Sequence, residues 1–236
     1  MIAENLKQIK RRIIKAARRV GRDPADVRLV AVTKERSIVT VAEGIRTGVR
    51  FLGENKVQEA RDKIETLGHN GLEWHFIGRL QKNKVKFIFD LFDLIHSVDN
   101  SALAETIHKK AQIRGSRMPI LLQVNMSGEK SKLGMDPLNV PNEIYKLAQF
   151  EGVKIRGLMT IPPYDSNPEN SRPYYARLRE LRDTCFNLNV SGIQMGELSM
   201  GMSNDYEVAV EEGATLVRVG TGLFGPRPSG RKDTVG

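Results

Sequence analysis

Eight short apolar runs recur along the chain, each separated from the next by a segment with helical spacing. The runs are RLVAVT (28–33), VRFLG (49–53), EWHFIG (73–78), FDLIHSV (92–98), PILLQVN (119–125), VKIRGLMT (153–160), GELSMG (196–201) and TLVRVG (215–220). Helix-like patterns occupy 38–47, 55–67, 80–90, 101–114, 138–150, 171–187 and 204–212. Strands that alternate with helices lie parallel and are joined by right-handed crossovers. A count of eight closes such a sheet into a (β/α)8 barrel, the TIM-barrel form of an α/β protein. An open doubly wound sheet is the alternative. It would gather its unusual polar residues at one switch point, whereas here they follow nearly every strand.

An additional helix precedes the first strand, over residues 1–22. Ile2, Leu6, Ile9, Ile13, Ala17 and Val20 form its apolar stripe, and Lys7, Lys10, Arg11, Lys15 and Arg18 occupy its other faces. The basic face reads as a solvated surface rather than as a nucleic-acid or lipid contact. No linker or low-complexity tract interrupts the pattern, so one domain is expected over 1–236, ending in a flexible tail over 226–236.

The formal charge of +9 suits an anionic partner. With Cys185 as its single cysteine, the chain has no internal disulfide and fits a reducing compartment. No apolar stretch approaches the ~20 residues of a spanning helix, and the N-terminus lacks the apolar core of a signal peptide. A cytoplasmic protein is expected. The four histidines show no metal-ligand spacing, and Walker A, nucleophile-elbow and CxxC motifs are absent from the sequence. GTGLFG (220–225) matches the dinucleotide pattern, but the following helix and distant acidic residue that the pattern needs are missing.

In a barrel the C-terminal strand ends meet on one face, where chemistry takes place. Read in order, those ends supply Lys34, then Glu54 and Asn55, His75 and Gly78, and Ser97. Asn125, Thr160, the run Ser199 to Asn204, and finally Gly220 and Thr221 follow. One lysine thus faces a ring of small, mostly neutral polar groups. SMGMSND (199–205) and VRVGTGLFG (217–225) place glycines and hydroxyls after strands seven and eight, the common position of a phosphate cup. Arg218 lies within the eighth strand and points either outward to a helix or into the barrel mouth.

These motifs together resemble the pyridoxal 5′-phosphate (PLP) homeostasis proteins, relatives of the barrel domain of bacterial alanine racemases. AVTK (31–34), LGENKVQEA (52–60), WHFIGRLQKNK (74–84), IHSVD (95–99) and VNMSGEKSKLG (124–134) carry the resemblance. GLMTI (157–161), LSMGMSNDYEVAVEEGAT (198–215) and VRVGTGLFG (217–225) complete it. The resemblance implies that Lys34 holds PLP as a Schiff base, with Asn55 beside the cofactor and His75 in its surroundings. It also implies that Ser199 or Ser203, with Gly220 and Thr221, holds the phosphate, and that Arg218 faces the pyridine nitrogen. Lys56 stands where the family commonly has an aromatic residue. Lys132, on the loop after strand five, reads as a solvated lysine at the same rim.

A cation at the pyridine nitrogen blunts the electron sink that PLP enzymes exploit, and a racemase needs a second base from a further domain. The resemblance therefore implies a monomeric carrier that buffers PLP and delivers it to apo-enzymes. A PLP-dependent racemase or decarboxylase is the alternative.

Overall fold

In the computed structural model the apolar runs form one closed, all-parallel barrel in chain order. The strands are β1 Arg28–Val32, β2 Phe51–Glu54, β3 Glu73–Phe76, β4 Leu94–Val98, β5 Met118–Gln123, β6 Val153–Met159, β7 Glu197–Ser199 and β8 Leu216–Val219. Their Val, Ile and Leu residues suit strands covered on both sides. β1 closes the barrel against β8, with Val30 opposite Arg218 and Ala31 opposite Val219. The structure describes residues 1–129 and 131–226; the tail expected over 226–236 lies, from residue 227 on, outside the described residues.

The helices are α1 Ile2–Arg19, α2 Ile38–Arg46, α3 Val57–Leu67, α4 Val85–Ile88, α5 Ser101–Arg114, α6 Val140–Leu147, α7 Arg172–Asn187, α8 Tyr206–Glu211 and α9 Thr221–Phe224. Two expectations need correction. The helix expected over 80–90 is a 3-10 turn, Lys82–Lys84, followed by the single turn α4, in which only Val85 and Ile88 are buried. Exposed lysines leave that stretch too little apolar face for a longer helix. The glycine-rich turn expected at 220–225 contains α9, held by the buried Leu223 and Phe224 and ended by Gly225 at φ 81°.

α1 fixes the part of the barrel that the site uses. Ile2, Leu6, Ile9 and Ile13 are buried, each worth about 1.5–3 kcal/mol when fully removed from water. Val20, expected on the same stripe, falls past the helix end and is exposed. Asn5 Nδ2 donates to the Leu223 carbonyl at 2.9 Å. Arg12 and Arg19 pair with Glu207 and Glu211. The helix thereby holds α8 and α9, the elements that follow β7 and β8. Among the described residues no helix is long and apolar enough to cross a membrane.

Candidate functional site

A cavity of about 380 Å³ opens at the C-terminal ends of the strands. Lys34, Asn55, Ser203, Arg218, Gly220 and Thr221 all line it, with Val32, Ile77, Gly78, Arg79, Ile161 and Met202. A larger hollow of about 660 Å³ surrounds Arg28, Glu197 and Thr215, at the strand starts. That end of a barrel serves stability rather than chemistry.

Lys34 follows β1 and is half-buried. Thr33, the residue before it, donates its amide to the Gly53 carbonyl at 2.9 Å, extending the β1–β2 ladder to the cavity rim. Asn55 leaves β2 beside it. Its Oδ1 is buried and has no hydrogen-bond partner among the described residues, which leaves an acceptor there to be satisfied by a ligand or water. Gly78 packs directly on this turn: a Cβ at Gly78 would lie 2.2 Å from the Asn55 carbonyl oxygen.

The far wall is built from the ends of β7 and β8. Ser203 Oγ accepts the Gly220 amide at 3.3 Å and the Gly222 amide at 3.4 Å. Among the described residues the amides of Ser203 and Thr221 have no hydrogen-bond acceptor. The Met202 amide is taken by Asp205 Oδ1 at 2.7 Å. Arg36 binds the carbonyls of Phe224, Gly225 and Pro226, holding the segment behind the wall. Neutral hydroxyls and amides with spare donors suit a phosphate.

Arg218 points inward. It is 4% exposed; Nη1 donates to Ser199 Oγ, and Nη2 to the Thr160 carbonyl at 2.9 Å. Burial lowers its pKa to about 10, with Tyr175 and Asp205 opposing the shift, so the guanidinium stays charged at neutral pH. Because Ser199 Oγ accepts from Arg218, its hydroxyl is free to donate to His96 Nδ1, 2.8 Å away. The His96 proton then sits on Nε2, which donates to His75 Nδ1 at 3.0 Å. This leaves a proton on His75 Nε2, which is buried and has no hydrogen-bond partner among the described residues, with Glu73 Oε2 at 3.7 Å. His96 is held neutral: burial first, and then the Arg218 guanidinium, push it well below the ordinary histidine value.

Two expected site residues therefore stand apart from the cavity lining. His75 and Ser199 belong to the barrel interior, and Ser199 reaches the cavity only through Arg218. Arg79 and Met202 also line the cavity; Arg79 directly follows Gly78, and Met202 directly precedes Ser203. Lys56 is the N-cap residue of α3 and borders a separate hollow of about 130 Å³ with Arg79 and Lys84. Lys132 does not line the cavity, and no cluster of metal-ligating side chains occurs among the described residues.

Fold and cavity together define a class: a (β/α)8 barrel with one amine, one buried guanidinium and a hydroxyl–amide wall at its mouth. The family model of the alanine racemase N-terminal domain matches residues 4–228. A pyridoxal phosphate homeostasis protein of Aquifex aeolicus is 45% identical over 224 residues, covering 95% of this chain and 97% of that protein. The protein of the same name from Escherichia coli K12 is 37% identical, covering 98% and 99%. The solved structure of PipY from Synechococcus elongatus with PLP bound superposes with a TM-score of 0.83 at 37% identity, covering 95% of this chain and all of that one. This chain belongs to the pyridoxal phosphate homeostasis protein family, built on the alanine racemase N-terminal domain.

Proposed function

We propose that the protein binds PLP in the mouth cavity, buffers it and delivers it to apo-enzymes. The observation that carries this reading is the convergence of Lys34, Arg218 and the Ser203–Thr221 wall on one cavity of about 380 Å³, within the range of small-ligand sites. The donor set fits the cofactor. The Lys34 amine would hold the aldehyde carbon of PLP as a Schiff base, with loss of water. The Ser203 hydroxyl, the Thr221 hydroxyl and the amides beside them would take the phosphate. Arg218 would face the pyridine nitrogen, and Asn55 would offer its Oδ1. His75 and Ser199 act one layer below, by orienting Arg218. The names of the relatives and the PLP-bound PipY structure support the same reading.

A carrier role is favoured over catalysis. When bound, PLP supplies an electron sink, and an enzyme adds groups that move protons at the substrate. Among the described residues the lining contains, apart from Lys34, no carboxylate, imidazole, phenol or thiol, and its other titratable groups are the guanidiniums of Arg79 and Arg218. We place the protein in the cytoplasm as a monomer that contacts neither nucleic acid nor membrane. Cys185 is a free, buried thiol, in keeping with a reducing compartment. The visible spectrum of the purified protein with PLP, before and after borohydride, tests the reading: an aldehyde-like spectrum unaffected by the reductant overturns it.

A further inference from the structure

Lys63, on α3, is 3% exposed. Its ammonium donates to the Thr33 carbonyl, to Glu54 Oε1 and to Glu59 Oε1, each at 2.6 Å. A buried ammonium is costly unless charge and hydrogen bonds compensate it, so the placement of those acceptors matters. Both flank Lys34. The Thr33 carbonyl belongs to the peptide that joins Thr33 to Lys34. Glu54 Oε1 also accepts the Thr33 hydroxyl at 2.6 Å, and Glu59 Oε1 accepts the Glu35 amide at 2.6 Å. Glu35 has φ 60°, a left-handed conformation that a non-glycine residue holds only when its surroundings enforce it.

The residue before Lys34 is therefore held by Lys63 and Glu54, and the residue after it by Glu59, itself bonded to Lys63. We infer that Lys63 is a positioning residue: with Glu54 and Glu59 it clamps the backbone on both sides of Lys34, so that the Lys34 amine enters the cavity at one fixed place. This inference rests on the proposed bond between Lys34 and PLP. The clamp acts on the covalent bond and leaves the Ser203–Thr221 wall alone. Glu54 ends β2 one residue before Asn55, so the same cluster ties the β1 and β2 ends together.

The test compares PLP with pyridoxine 5′-phosphate, which has the same ring and phosphate but an alcohol in place of the aldehyde. Equilibrium dialysis of the full chain gives both affinities for the parent, Lys63→Met and Lys34→Ala. An amine that must be pulled from its resting place forms a weaker Schiff base, and each tenfold loss of affinity corresponds to about 1.4 kcal/mol. Lys63→Met is therefore expected to bind PLP at least about tenfold more weakly, with pyridoxine 5′-phosphate affinity changed less than about twofold. If Lys63→Met does not fold, Lys63→Met/Glu54→Gln removes both buried charges and keeps an acceptor for Thr33. Glu59→Ala, at a half-buried position, frees the Glu35 amide and is expected to shift the ratio in the same direction by a smaller factor. An unchanged ratio of the two affinities in these variants, whatever their thermal stability, overturns the clamp and reduces Lys63 to a fold residue. If the parent's preference for PLP survives Lys34→Ala, the Lys34 reading fails and the clamp with it.

Discussion

Gly78→Ala perturbs the site through space that the structure measures. The added Cβ would lie 2.2 Å from the Asn55 oxygen, 2.6 Å from its Cα and 2.8 Å from its carbonyl carbon. All three are backbone atoms, so no side-chain rotation relieves the clash. Ordinary contact begins near ~3.5 Å, and the β2–α3 turn must therefore retreat by about 1 Å. Overpacking of this kind costs about 1–3 kcal/mol, or about 2–12 °C in melting temperature for a chain of this length. The same retreat carries Asn55 away from the cavity and weakens PLP binding by about tenfold, the loss of one hydrogen bond worth about 1.5 kcal/mol. Thermal unfolding of the ligand-free protein and equilibrium dialysis with PLP read the two effects. Gly196→Ala is the control, since its Cβ meets nothing within 4 Å, and it should match the parent in both. A Gly78→Ala protein that melts with the parent and binds PLP equally well would refute the close approach and the placement of Asn55.

Lys34→Ala should still bind PLP reversibly with an aldehyde-like spectrum, because hydrogen bonds to the charged phosphate contribute about 1.5–3 kcal/mol each; complete loss on dialysis would show that the wall contributes little. Ser203→Ala/Thr221→Ala should keep Lys34 reactive and weaken PLP by about 10–100-fold, at about 1.4 kcal/mol per tenfold, whereas parent-like affinity would misplace the phosphate. His96 is neutral when folded, but the unfolded chain takes a proton there near pH 6.5. Its contribution to stability is therefore complete above that pH and is lost below it, by up to about 1.4 kcal/mol per pH unit. Urea titrations across that range should show a shallower pH slope for His96→Gln than for the parent; equal slopes would contradict a neutral, buried His96. Incubation of the PLP-loaded protein with L-alanine in deuterium oxide should give no enzyme-like exchange at the α-carbon, and rapid exchange would reveal a proton-transferring group outside the cavity lining described.

The eight strands were legible because parallel strands covered on both sides need near-continuous apolar runs, and β1 to β8 each carry one. The segment 80–90 was not, because Leu80, Val85 and Ile88 mimic helical spacing while the exposed Lys82 and Lys86 break its apolar face. Position at a strand end located Lys34, Asn55 and Gly220. It does not say how deep a side chain reaches, which is why His75 and Ser199 were grouped with the lining residues although they sit in the interior chain beside His96. The direction of Arg218 was open for the same reason: Ser199 and the Thr160 carbonyl, which accept its protons, come from other strands. Lys63 looked like any lysine on an amphipathic helix. Its burial depends on Glu54 and the Thr33 carbonyl, contacts that spacing within α3 cannot reveal.

Peptide mass mapping after borohydride reduction of the PLP-loaded protein tests the central claim most directly. Reduction turns a Schiff base into a stable secondary amine and marks the lysine that carried it. The account predicts a single major adduct on Lys34, absent from Lys34→Ala treated in the same way. A principal adduct on Lys56 or Lys132, with Lys34 unmodified, would contradict it.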